Sequence, residues 1–136
     1  MKTLFTTIIA LIIATLTFAQ DGNTITVQVL NATSDEGTIE YGIYDQDTFM
    51  KAAPVFSASV EIKDGKAVAV FENVPEGDYA IMALHDLNGN GRIDFETNGM
   101  PKEAYGMSNN PMSYGPPTWA DAKITIDKDQ EISIRL

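Results

Sequence analysis

A chain of 136 residues with 19 acidic against 9 basic side chains carries a net charge of −10. That balance argues against nucleic acid, whose phosphates need basic partners, and against anionic membrane surfaces, while it favours cations and cationic partners. No cysteine is present, so disulfides and an acylated N-terminal cysteine are both ruled out and stability must come from a packed core.

In chain order the first element is a targeting segment. Lys2 supplies a positive start, and residues 4–18 form an apolar run broken only by threonine and alanine. Thr17-Phe18-Ala19 places small residues at −3 and −1 of a cleavage point before Gln20. This is the pattern of a secretory signal peptide, and the run is shorter than the roughly 20 apolar residues that span a bilayer. Residues 1–19 are therefore set apart from the fold, and residues 20–136 are expected to form a single domain. Loss of Lys2 takes the net charge from −10 to −11. With no second hydrophobic segment, the product is expected to be soluble, without membrane insertion, in the periplasm or outside the cell.

Strand patterns follow. Residues 24–30 alternate Ile25, Val27 and Val29 with Thr26 and Gln28, and residues 38–44 alternate Ile39, Tyr41 and Ile43 with Glu40 and Gly42. A period of two marks a half-buried strand. Phe56, Ala58, Val60 and Ile62 continue it, Asp64-Gly65 is a hairpin signal, and residues 67–71 form the return strand. After a turn with Pro75 and Gly77, residues 78–85 are apolar on both faces, as in a central strand. Residues 123–126 and 131–136 are two late strands split by Asp127-Lys128-Asp129. Residues 48–53, stopped by Pro54, are the one candidate helix.

Seven short strands predict an all-β fold, a seven-stranded antiparallel β-sandwich. Tyr79 stands where Greek-key sandwiches place a tyrosine corner, with an ordinary core tyrosine as the alternative. Asn31-Ala32-Thr33 fits a glycosylation acceptor, which matters only in a eukaryotic host.

Between the fifth and sixth of these strands lies one long irregular loop, from residue 86 to about 121. Loops beyond about 12–15 residues are usually functional or disordered. This one carries Met100, Met107 and Met112 with Tyr105, Tyr114 and Trp119, too apolar a set for a disordered tail. It is expected to be ordered against the sandwich. Tyr105, Tyr114 and Trp119 are candidate contacts to a protein or glycan partner, with packing onto the sandwich as the competing use.

The loop begins with Asp86-Leu87-Asn88-Gly89-Asn90-Gly91-Arg92-Ile93-Asp94. Oxygen-bearing side chains at alternate positions, with glycines between, are how a short loop wraps a hard cation such as Ca²⁺. Asp86, Asn88 and Asn90 match positions 1, 3 and 5 of an EF-type loop, and Gly91 matches the sharp turn at position 6. The Arg92 carbonyl would serve at position 7, and Asp94 at position 9. Position 12, normally a bidentate Glu, is Thr97. The site is therefore expected to be weak, or completed from elsewhere. Glu96 and Glu103 are the nearest carboxylates, and Glu103 can fold back across the turn at Gly99-Met100-Pro101.

Zn²⁺ fits poorly without cysteine and with a single histidine, and Mg²⁺ usually keeps several waters. A plain connection is the alternative, because Asn88-Gly89, Asn90-Gly91 and Asn98-Gly99 are all turn dipeptides. His85 beside Asp86 invites an acid–base reading, but no nucleophile or second base accompanies it. A histidine satisfied at a strand end, bonded into the long loop, is expected.

The run from Tyr79 through His85-Asp86-Leu87-Asn88-Gly89-Asn90-Gly91-Arg92-Ile93-Asp94, followed by Gly99-Met100-Pro101-Lys102-Glu103-Ala104-Tyr105-Gly106-Met107-Ser108-Asn109-Asn110, resembles the DUF2141 family of exported bacterial proteins of uncharacterised function. The resemblance extends to Gly42-Ile43-Tyr44, Phe49, the Pro75-Glu76-Gly77-Asp78-Tyr79 turn and the late strand after Ala122. It implies an immunoglobulin-like or transthyretin-like sandwich and no activity. Three functions compete. The first is an exported, non-enzymatic binding or accessory module of the cell envelope, ordered by Ca²⁺. The second is a metal-free structural envelope protein. The third is a hydrolase using His85 with Glu103 or Asp94.

Overall fold

Period-two alternation becomes two packed sheets in the computed structural model, which describes residues 22–112 and 115–136. The targeting segment expected at residues 1–19 and the candidate contact Tyr114 lie outside the described residues. The elements are β1 (Asn23–Val29), β2 (Thr38–Tyr44), β3 (Phe56–Glu61), β4 (Ala67–Val74), β5 (Gly77–Asp86), β6 (Tyr105–Met107), α1 (Trp119–Ala122), β7 (Ile124–Ile126) and β8 (Gln130–Ile134). The fold is all-β. One sheet has the order β4-β1-β8, and the other β3-β2-β5-β6, with β7 paired to the start of β5.

Three expectations are corrected. The described residues hold eight strands rather than seven, because the segment expected as one irregular loop contains β6, paired with β5 through Met82–Met107, Ala83–Gly106 and Leu84–Tyr105, and also the start of α1. The sheets are not wholly antiparallel, since β8 runs parallel to β1, from Ile25 opposite Gln130 to Val29 opposite Ile134. The chain after β7 crosses to the other sheet instead of turning back on itself, and the Thr24 N–H donates to Asp129 Oδ1 at 2.8 Å to fix the crossing. Residues 48–53 form no helix. Phe49 N–H bonds Asp45 O and Ala52 N–H bonds Thr48 O, both at 2.9 Å, and Met50 at φ 58° breaks the run. That left-handed conformation is incompatible with a continuing right-handed helix.

The core sits between the sheets. Ile25, Val27 and Val29 of β1 and Ile81 and Ala83 of β5 are fully buried there. Alternate residues of β5 face the other way, and Ala80 joins Phe49, Met107 and Ala122 in a second cluster, with Tyr44, Met82 and Trp119 packed on it. The apolar character of both faces of β5 is explained by this second layer, since the segment after β5 covers the sheet's outer surface. The Tyr79 hydroxyl donates to Pro75 O at 3.0 Å, the bond of a tyrosine corner. Asp64 and Gly65, at φ 53° and 75°, make the expected tight turn. The Asp35 carboxylate accepts both of their N–H groups, at 3.0 and 2.8 Å.

Candidate cation site

Asp86 is the last residue of β5, opposite Thr38 of β2. Gly37, at φ +73°, presses against it so closely that a Cβ there would lie 2.1 Å from Asp86 O. The Asp86 side chain is buried. Its Oδ1 accepts the Gly89 N–H at 2.9 Å and its Oδ2 the Gly91 N–H at 2.7 Å. Asn88 Oδ1 accepts from Asn90 N–H at 3.2 Å, and Asn90 Oδ1 from Arg92 N–H at 3.1 Å. These are successive Asx turns, in which a short side chain caps main-chain N–H groups a few residues on.

The chain thereby curls until the Asn88 amide donates to Asp94 Oδ2 at 2.5 Å and the Asn90 amide to both Asp94 oxygens at 2.9 Å. The alternating pattern read in the sequence thus brings Asp86, Asn88, Asn90 and Asp94 into one hydrogen-bonded loop. The amides of Asn88 and Asn90 hold the Asp94 carboxyl below its usual 3.8, with smaller help from the charges of Arg92 and Lys102. The Arg92 side chain is exposed.

Glu103 does fold back. Lys102 N–H donates to Asp94 O at 2.8 Å, Phe95 bridges Pro101, and Glu96 N–H donates to Met100 O at 2.7 Å. This small hairpin returns the chain to the end of β5, where the Leu87 N–H donates to Glu103 Oε1 at 3.0 Å. Glu103 is 6% exposed. Its Oε2 is buried with no hydrogen-bond partner among the described residues. No group of three or more His, Cys, Asp or Glu side chains stands close enough to hold a metal among the described residues. The loop's oxygen set is instead a mixture of carboxylates, Asn amides and a carbonyl, of the kind that hard cations accept.

The expected histidine role needs adjusting. His85 is buried, and its Nε2 lies 2.8 Å from Glu36 O, in the connection before β2 rather than in the long loop. A carbonyl only accepts, so Nε2 carries the proton. The long loop is reached through the main chain, with His85 N–H donating to Ala104 O at 2.9 Å.

The two described aromatic candidates part company. Trp119 begins α1 and rests on Phe49, ring centroids 5.9 Å apart, so packing occupies it. Tyr105 lines a cleft of ≈ 580 Å³ with Met50, Met82, Ile93, Phe95 and Met100.

Sequence reasoning missed Ser108, Asn109 and Asn110 as a structural unit. Ser108 N–H donates to Ile81 O at 2.8 Å, and its hydroxyl accepts the Ile81 N–H at 3.0 Å while donating to Ala122 O. The Asn109 amide donates to Asp121 O and Lys123 O, and Asn110 bonds both Ser133 O and Arg135 N–H. The unit therefore ties the long segment to β5, α1 and β8. The signal was present in the run of short polar residues after an apolar Met, which suit left-handed positions, and Asn109 and Asn110 have φ 69° and 45°.

The family model described as an uncharacterized protein conserved in bacteria (DUF2141) matches residues 27–134. The chain belongs to the DUF2141 family. No curated protein and no solved structure matches it. The DUF2141 match runs from within β1 to the end of β8, so the cation-type loop, the hairpin and the Ser108-Asn109-Asn110 unit all fall inside it. No helix of the described residues is long and apolar enough to cross a membrane.

Proposed function

We propose that this DUF2141 protein is an exported, non-enzymatic module that serves the cell envelope as a binding or accessory protein, and that Ca²⁺ in the loop of residues 86–94 orders its long surface segment. The observation that carries the reading is the loop itself, with Asp86, Asn88, Asn90 and Asp94 folded into one ring of Asx turns at the end of a rigid strand. The tyrosine corner and the two-sheet core support an immunoglobulin-like or transthyretin-like sandwich as the scaffold. The signal-like residues 1–19 support export, to the periplasm or beyond, of residues 20–136 as one domain. The Glu36 bond to His85 supports a structural histidine and speaks against acid–base work. Tyr105 in its cleft is the described residue that suits contact with a protein or glycan partner.

Calorimetry on EDTA-stripped protein tests the cation. Extracellular modules of this kind bind Ca²⁺ with constants of about 10⁻⁴–10⁻³ M. At about 10 mM Ca²⁺ such a site adds about 1.4–2.7 kcal/mol of stability. No binding heat and no rise in melting temperature at that concentration would remove the calcium reading. The metal-free structural protein would then stand, a reading favoured by the internal hydrogen bonds that already close the loop.

A further inference from the structure

One carboxylate oxygen beside the loop has no protein partner. Glu103 is buried, Oε1 takes the Leu87 N–H, and no donor among the described residues reaches Oε2. Buried charged groups are stable when paired, hydrogen-bonded or bound to a metal. The neighbouring carboxylate, Asp86, is also buried, and its partners are the uncharged N–H groups of Gly89 and Gly91. Both buried carboxylates thus serve main-chain N–H groups of the same loop, Glu103 at Leu87 and Asp86 at Gly89 and Gly91. A cation at Oε2 would give that oxygen the partner the protein does not supply. The charges of Arg92 and Lys102 act instead on Asp94, after the larger effect of the Asn88 and Asn90 amides.

We propose that Glu103 closes a composite Ca²⁺ site with Asp86, Asn88, Asn90 and the Arg92 carbonyl, with Asp94 reached through water as position 9 often is, and that the ion clamps the hairpin of residues 94–102 that walls the apolar cleft. This rests on the calcium reading above and adds the closing ligand and the segment under its control. Oxygen-only ligands from an irregular loop suit Ca²⁺, which tolerates variable geometry, better than Mg²⁺ or Zn²⁺. Glu103 takes the place of the absent carboxylate at position 12, where Thr97 stands.

The clamp follows from the chain path. Asp94 opens the hairpin and Glu103 follows it directly, while Lys102 N–H bonds Asp94 O between them. An ion held at 94 and 103 fixes both stems, and Asp86 anchors it to the end of β5. The next residue, Ala104, bonds His85 N–H, and Tyr105 then begins β6. The hairpin contributes Phe95, Met100 and Pro101 to the cleft, facing Met82 and Tyr105 of the sheet. Phe95 and Met100 are 57% and 62% exposed, so little apolar packing holds this wall in place. Ion occupancy therefore decides how firmly the wall stands.

Hydrogen exchange read by mass spectrometry, with and without Ca²⁺, tests this on the purified protein and on Glu103→Gln and Asp94→Asn. In the wild type Ca²⁺ should slow exchange across residues 94–105. Glu103→Gln should weaken Ca²⁺ binding by at least about tenfold and abolish the slowing, with an unchanged far-ultraviolet circular dichroism spectrum. Equal Ca²⁺ affinity in Glu103→Gln, or wild-type binding without slowing over 94–105, would overturn the inference and leave the calcium reading in place. No Ca²⁺ uptake by the wild type would overturn both. If Glu103→Gln does not fold, Asp94→Asn decides, because Asp94 is less buried than Glu103. Retained affinity and protection in that variant would equally sink the clamp.

Discussion

Ser108→Ala should cost far more than one surface hydroxyl. The Ser108 side chain is fully buried, accepts the Ile81 N–H at 3.0 Å and donates to Ala122 O. Removing the hydroxyl leaves a buried donor and a buried acceptor without this partner, each costing about 1–3 kcal/mol. A combined loss of about 2–4 kcal/mol follows if neighbouring groups relax slightly. For a domain of this size each kcal/mol moves the melting temperature by about 4 °C. The expected fall is about 8–16 °C, read by thermal circular dichroism. Amide exchange at Ile81 should accelerate in parallel, because its N–H loses its acceptor. The control is Ser59→Ala, whose exposed hydroxyl donates to Glu40 Oε1 at 2.6 Å and whose loss should stay within about 0.5 kcal/mol. A drop below about 2 °C for Ser108→Ala, with Ile81 exchange unchanged, would refute the view that Ser108 fastens the long segment to β5.

Two further expectations concern the scaffold. Gly37→Ala places a methyl group 2.1 Å from Asp86 O at a φ of +73°. It should therefore lower stability by at least about 1–3 kcal/mol in a denaturant melt, and wild-type stability in the variant would show that the Gly37–Asp86 contact is not tight. Tyr41 donates to Ala67 O at 2.7 Å inside the core, and burial pushes its phenol up to about 12, with the Val29 main chain acting the other way. An unfolded tyrosine ionises near pH 10, so the stability its neutral form provides is complete below that pH and is lost as pH rises towards 12. Ultraviolet difference titration of wild type against Tyr41→Phe should show one late-ionising tyrosine missing from the variant. A Tyr41 midpoint near 10 would contradict its placement in the core.

Much of the scaffold was legible because one face of most strands is buried. Ile25, Val27 and Val29 alternate with polar residues for that reason, and so do Ile39, Tyr41 and Ile43. The partner of a strand is less legible, because parallel and antiparallel pairing demand the same alternation, and nothing in residues 130–134 announced β1 as the neighbour. β6 was hidden by its three-residue length and its central glycine. Gly106 is there because a Cβ would come within 2.0 Å of Arg135 O, a tertiary demand with no local signature. The α1 start did leave a local trace, since Thr118 accepts the Asp121 N–H and donates to the Asp121 carboxylate, a capping pattern. At residues 45–48 the Asp45 carboxylate captures the N–H groups of Asp47 and Thr48, so a turn took the place of a helix. The loop of residues 86–94 was readable because its side chains bond locally. The buried state of Glu103 was not, since it depends on how the hairpin returns to β5.

The parallel pairing of β8 with β1 bears on how the chain reaches this structure. Ile25 waits for Gln130 and Val29 for Ile134, so closing the three-stranded sheet joins positions about a hundred residues apart, at the slow, high-contact-order end of folding behaviour. During synthesis, β1 can pair with β4 long before residues 130–134 are available, and in that interval its other edge stands open. An open edge recruits strands from other chains. Whatever shields β1 in that interval, whether a chaperone or simple dilution, governs how much of the protein arrives folded.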